Sequence, residues 1–353
     1  MNAAKVKAPS PRLMIYYRFL IFGASEMRVL LLGATGTIGQ ATAKALVAHG
    51  HELVCLVRHK VGAKDQSLAE HTNESLAGCS VRVCDLQSAQ SVQHQGLQGE
   101  HFDAVVSCLA SRTGTPRDAW SIDYQAHSQL LKLVQAAGVR QFVLLSAICV
   151  QKPLLGFQQA KLAFEKELMA SGLTYSIVRP TAFFKSLSGQ IKRLKQGKPF
   201  LLFGDGRLTA CKPISDQDLG QFMALCLSDA DKHNRILPIG GPGEAITPLQ
   251  QGEYLFKLLG QTPHYKHVPV GLLDVIITVL QTAGWLIPLL TDKAELARIG
   301  RYYATESMLV WSPQTQAYDA QATPSFGTHT LFEHYRQLVA GEVDVQLGDH
   351  AVF

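Results

Sequence analysis

The stretch MRVLLLGATGTIG, residues 27–39, constrains the fold of this chain more than any other. An almost unbroken apolar run of this length reads as a strand covered on both faces, as parallel strands are. Gly33, Gly36 and Gly39 follow it at GxxGxxG spacing, and TIGQATAKALVAHG then has helical periodicity with Gly50 as a stop. Strand, glycine turn and helix in that order open a βαβ unit. Gly33 permits the tight turn, Gly36 lets backbone approach a pyrophosphate, and Gly39 lets helix and strand close up. Thr35, Thr37 and Ile38 complete the turn and helix start, where unpaired amides face phosphates. With a second strand at the right distance, the motif predicts dinucleotide binding.

The same alternation continues down the chain. ELVCLVR, VRVCDL, DAVVSCLA, RQFVLLSA, LTYSIVRP and RILPIGG read as strands. WSIDYQAHSQLLKLVQAAGV, FQQAKLAFEKELMASG and SDQDLGQFMALCLSD read as helices between them. Alternation of this kind predicts an α/β, doubly wound parallel-sheet Rossmann fold. The expected division is a dinucleotide-binding domain over 27–240 and a smaller, mainly helical substrate lobe over 241–353. Residues 1–26 read as a disordered extension, or as sequence upstream of a start at Met27. Ligands of such sheets lie beyond the carboxyl ends of the strands. The residues to watch are therefore Gly33, Arg58, Asp85, Ser107, Ser146 and Arg179. Arg58 ends the second strand, where an arginine suits a 2′-phosphate and an acid would repel it, so the cofactor is expected to be NADPH. Asp85 is placed to meet adenine, and Ser107 to line the cofactor.

Composition narrows the function classes. The 353 residues are 47% hydrophobic with a formal charge of +5, thinly spread apart from Lys185, Lys192, Arg193, Lys195 and Lys198. That cluster reads as a solvated helix face, or as a surface for an anionic ligand or lipid. No zinc-finger spacing or RNA-binding signature is present, which argues against nucleic acid and against a metal site. Seven cysteines without a CxxC pair read as thiols in a reducing compartment. The apolar stretch GLLDVIITVLQTAGWLIPLL, 271–290, reads first as a buried or substrate-lining helix and second as an interfacial one. Asp274, Gln281, Gly284 and Pro288 argue against a membrane span.

GFQQAK, residues 156–161, follows the strand ending at Ser146. With GATGTIG, this arrangement resembles the short-chain dehydrogenase/reductase superfamily, in an atypical branch, over about residues 27–240. That resemblance gives Ser146 and Lys161 the catalytic positions of the superfamily, with Lys161 also holding the nicotinamide ribose. The superfamily's tyrosine has become Phe157. Phenylalanine has no exchangeable proton and cannot be a general acid, so carbonyl chemistry through that position is in doubt. A carbon–carbon double bond joined to a large electron sink needs no proton on oxygen. VVSCLASRTG, WSIDYQA and SAICVQKPLLGFQQAK further resemble the NADPH-dependent 8-vinyl-reductase family, from about Met27 into the 330s.

This second resemblance implies reduction of the 8-vinyl group of divinyl chlorophyllide or protochlorophyllide to ethyl, in chlorophyll or bacteriochlorophyll biosynthesis. It implies an apolar pocket with few polar anchors. Candidate walls are Phe157, Phe183, Phe184, Phe203, Leu272, Ile276, Trp285 and Leu286. Candidate carboxylate anchors are Lys152, Arg179 and Lys185; His264, His267 and His334 are weaker candidates for the pigment's magnesium. The proton for carbon has no clear donor, with Ser146, Cys149 and Tyr175 as guesses. A cytoplasmic protein is expected, and so greasy a substrate is compatible with peripheral contact with photosynthetic membranes. The alternative function is a non-catalytic NADP(H)-binding assembly or regulatory protein of the same branch, which a lost tyrosine suits equally well.

Overall fold

A computed structural model describes residues 26–58, 76–285, 287 and 289–343. The expected extension, apart from Glu26, and the positions of Leu286 and Pro288 lie outside the described residues. The first strands are β1 (Arg28–Leu32), β2 (Glu52–Val57), β3 (Ser80–Val83), β4 (Ala104–Ser107), β5 (Gln141–Leu145) and β6 (Thr174–Pro180). After them come β7 (Phe200–Phe203), β8 (Arg235–Ile239), β9 (Tyr265–Val268), β10 (Val310–Ser312) and β11 (Ala317–Asp319). Seven form one sheet in the order β3-β2-β1-β4-β5-β6-β8, and every pairing in it is parallel. The order reverses between β1 and β4, which places the switch point directly beyond the glycine turn.

Helices cover both faces. They are α1 (Thr37–Ala48), α2 (116–136, with a π-helical stretch Trp120–Ala126), α3 (Gly156–Met169) and α4 (Asp216–Ser228). The pleat of β1 shows why both faces must be apolar. Val29 and Leu31 enter a core with Ala43 and Leu46 of α1 and Leu219 and Met223 of α4. Leu30 and Leu32 enter the opposite core with Leu130 and Val134 of α2 and Phe164 and Leu168 of α3. All four β1 side chains are at most 1% exposed. At about 25 cal/mol per Å² of apolar surface removed from water, such strands dominate the stability of a domain.

Beyond β8 the alternation ends, as expected. The second lobe contains α5 (Pro248–Leu259), α6 (Val270–Gly284), α7 (Leu289–Thr305) and α8 (Leu331–Ala340). Phe184, Phe200, Leu255, Phe256 and Tyr335 build its core. Two features were not foreseen: β7 and β9 pair in parallel, and β10 and β11 form a hairpin.

The expectation of a buried helix over 271–290 is corrected. The stretch is divided between α6 and α7, and α6 turns an apolar face outward. Leu272, Val275 and Val279 are 49%, 60% and 57% exposed, Trp285 is 95% exposed, and Ile277 is the one buried residue of the helix. Among the described residues no helix is long and apolar enough to cross a membrane.

The chain then returns to the first domain. Met308 N–H donates to Ala210, Gly240 N–H to Pro324 and Phe326 N–H to Gly240. The Asp218 carboxylate accepts from the His329 backbone at 3.1 Å and lies 2.9 Å from its ring. Gly327, at φ +91°, is pressed so closely on Asp218 that a Cβ there would sit 2.0 Å from its Cγ. Only glycine passes.

Candidate active site

The glycine turn divides its labour as the spacing predicts. Gly33 has φ +74°, and a Cβ on it would sit 2.5 Å from the Cys108 carbonyl carbon. A Cβ on Gly39 would lie 2.0 Å from the Gly33 oxygen, so α1 and β1 pack without a side chain between them. Gly36 differs. Its nearest neighbour for a Cβ is the Gly33 oxygen at 3.5 Å, so the space in front of it is open. No side chain caps the start of α1, and Thr35, Gly36 and Thr37 are exposed. Uncapped amides facing open space at a helix N-terminus fit a pyrophosphate. Arg58 is exposed one residue past β2, and Asp85 is exposed two residues past β3. The Asp85 carboxylate already accepts the Gln87 amide at 2.9 Å through one oxygen.

Ser107 does not face that space. It is fully buried. Its hydroxyl pairs with His127 Nε2 at 2.8 Å and accepts the Leu109 amide at 3.3 Å. His127 Nδ1 is 2.9 Å from the Ile122 carbonyl and must donate to it, so Nε2 accepts from Ser107. Burial holds this imidazole neutral, its pKa pushed down to about 4.

The structure brings Lys161 and Ser146 together. Both line a small cavity with Asp123, His127, Leu144 and Phe164. Each is held by a carboxylate that sequence reasoning missed. Lys161 Nζ lies 3.0 Å from Asp123 Oδ1, and the Asp123 side chain is wholly buried. Asp123 is fixed in turn by Ser111, through its amide at 3.1 Å and its hydroxyl at 2.6 Å. Ser146 Oγ donates to Glu165 Oε1 at 2.5 Å. Glu165 also takes Arg179, through Nε at 3.2 Å and through a second contact from Nη2 to Oε2. The Ser146 proton is therefore spent inside the protein and is not aimed at a substrate oxygen. Arg179, expected at a substrate carboxylate, instead neutralises a carboxylate that is 1% exposed.

The other expected anchors divide. Lys152 Nζ binds Glu306 at 2.7 Å and lies over the Trp311 ring at 4.8 Å. Lys185 has no carboxylate within ion-pair distance among the described residues, although it is close enough to favour ionisation of Asp216. Phe183 is half-buried at a bridge to Ile214. Phe184 sits inside the second core, tilted on His334 at 5.3 Å, so it is a core residue and not an open wall. His334 beside it is half-buried. His264 and His267 lie on the surface, and no group of residues able to hold a metal occurs among the described residues. Tyr175 is at the amino end of β6, the wrong end of the sheet for the cleft.

Phe157 packs where α3 meets the second lobe. It shares a cluster with Cys149, Ile299 and Tyr302, and a Cβ on the neighbouring Gly114 would touch both Phe157 and Ile299. Tyr302 Oη donates to the carbonyls of Cys149 at 2.9 Å and Lys152 at 3.1 Å, which fixes the turn after β5. Tyr303 Oη reaches Cys149 Sγ at 3.9 Å.

A parallel sheet with this switch point, an open glycine turn and a carboxylate-held lysine are the parts of a dinucleotide-binding protein of the atypical short-chain dehydrogenase type. A family model described as NAD(P)H-binding matches residues 33–230. The fold alone is shared with leucoanthocyanidin reductase from Vitis vinifera, solved with NADPH, at TM-score 0.62 and 17% identity, over 89% of this chain and 99% of that one. The chain is 48% identical to the chloroplastic divinyl chlorophyllide a 8-vinyl-reductase of Cucumis sativus, over 93% of its own length and 80% of the relative's. It belongs to the divinyl chlorophyllide a 8-vinyl-reductase family. Likeness to the photosystem II assembly factor Ycf39 of Synechocystis is lower, 27% identity over 73% of this chain and 76% of that one.

Proposed function

We propose that this protein reduces the 8-vinyl group of divinyl chlorophyllide, or of divinyl protochlorophyllide, to ethyl at the expense of NADPH. One observation carries the reading. The site keeps the glycine turn and Lys161, but neither of the two superfamily positions offers a hydroxyl proton to a carbonyl oxygen, because Phe157 replaces a phenol and Glu165 holds the Ser146 hydroxyl. The nicotinamide supplies a hydride when bound. Gly33, Thr35, Gly36, Thr37, Ile38 and Gly39 hold its pyrophosphate, Arg58 the 2′-phosphate and Asp85 the adenine side. Lys161, oriented by Asp123, holds the ribose. The chain's main work is positioning two partners and excluding water between them. Phe157 and Phe183 flank the pigment. Lys185 pairs with its carboxylate, the remaining candidate cation outside an internal ion pair.

The test is direct. Purified protein with NADPH should convert divinyl chlorophyllide into a product heavier by two hydrogens with a blue-shifted Soret band. Folded protein that binds NADPH and leaves the pigment unchanged would fit the assembly-factor reading instead.

The exposed face of α6 suits peripheral contact with a lipid surface, since Leu272, Val275 and Val279 form an apolar stripe without a charge among them. Vesicles of phosphatidylcholine and phosphatidylglycerol should sediment the protein. Val275→Glu with Val279→Glu should abolish that binding; sedimentation unchanged by the pair would remove α6 from the contact.

A further inference from the structure

The reading above leaves the alkene one proton short. Hydride adds to one carbon, the π pair moves to its neighbour and spreads into the macrocycle, and a proton must then reach carbon. Phe157 cannot give it, and the Ser146 proton is held by Glu165. The second lobe brings a phenol to the same place. Tyr303, near the end of α7, is 39% exposed as a residue, and its hydroxyl lies against Cys149 Sγ at 3.9 Å. Cys149 lies in the Phe157 cluster, its carbonyl is held by Gln158 Nε2 at 3.1 Å and by Tyr302, and Lys161 is close enough to act on its thiol. The Tyr302 and Tyr303 rings meet edge to face at 5.7 Å, which fixes the direction of the second ring.

We propose, on the vinyl-reductase reading, that Tyr303 is the acid that protonates carbon after hydride addition, filling from α7 the role that Phe157 cannot fill from α3. The Tyr303 O–H bond breaks, a C–H bond forms with the electron pair left on the alkene carbon, and the phenolate oxygen recovers a proton from water once the product leaves. Alkene, NADPH and one solvent proton become the ethyl group and NADP⁺. Burial of the hydroxyl end, and then the adjacent Cys149, hold the phenol well above its ordinary range, so it stays protonated at neutral pH. Burial likewise raises the Cys149 thiol, which remains a neutral neighbour.

Two variants test the inference with the full-length protein. Tyr303→Phe should lower kcat about 10²-fold, as loss of a general acid does. Its KM for the pigment, its NADPH Kd by fluorescence and its thermal midpoint should stay within about twofold and a few degrees of wild type. Tyr303→His should recover at least about tenfold over Tyr303→Phe, with a rate that rises as pH falls through the imidazole range. A Tyr303→Phe kcat within about threefold of wild type, or a Tyr303→His variant no faster than Tyr303→Phe, overturns the assignment. Wild-type protein that binds NADPH and reduces no pigment overturns the reductase reading, and this inference with it.

Discussion

Phe157 is where residue chemistry departs from superfamily habit. A phenol restored there meets no substrate oxygen that needs its proton, so Phe157→Tyr should keep kcat within about tenfold, read by NADPH oxidation with the pigment. Loss of activity with intact NADPH binding would mean that the ring is needed for shape. Gly36 has the opposite sensitivity. Its missing side chain leaves the space in front of the turn open, so Gly36→Val should weaken NADPH at least ~10²-fold by fluorescence titration while leaving the fold intact. Legibility at this scale divides cleanly. Gly33, Gly36, Gly39 and Lys161 were readable because their partners are local backbone or a fixed motif spacing. Asp123, Glu165 and Tyr303 were not. Each is an ordinary polar residue on a helix whose partner is 38, 19 or 154 positions away, and only the fold pairs them.

At the scale of elements, β5, β6 and α3 are stapled by Ser146, Arg179 and Glu165. Removing one partner of a buried ion pair strands the other, and Glu165→Ala should cost about 3–5 kcal/mol in chemical denaturation. An acid effect belongs to the contact of α2 with β4. His127 is neutral in the folded protein, with its pKa near 4, but takes a proton more readily once unfolded. Its contribution is therefore whole above the unfolded value of about 6.5, falls as pH drops, and is gone below 4. Full loss corresponds to about 3 kcal/mol, and His127→Gln should flatten that slope in urea melts between pH 7 and 4. The strands were legible because each is a short apolar run bounded by turns. The division of α6 from α7 was readable in principle, since Gly284 followed by Pro288 is a helix stop. Its outward apolar face was not, because periodicity tells which residues share a side and not what lies opposite.

For the whole molecule, the two lobes are not independent beads. Residues 306–329 cross back to the dinucleotide half and bond to Ala210, Lys212, Asp218 and Gly240. A boundary drawn at 240 marks a change of architecture and says little about autonomy. A fragment ending at Thr305 should lose cooperative melting and become protease-sensitive within 27–240, measured by circular dichroism and limited trypsin digestion. A fragment as resistant as the full chain would show the return segment to be dispensable. Translation gives that return segment a further meaning. The glycine at 327 that docks on Asp218 is translated after every strand of the seven-stranded sheet, so the turn at Gly240 and the start of α4 stay uncovered while that sheet is being made. Maturation of the nucleotide fold must therefore wait for a segment made after it.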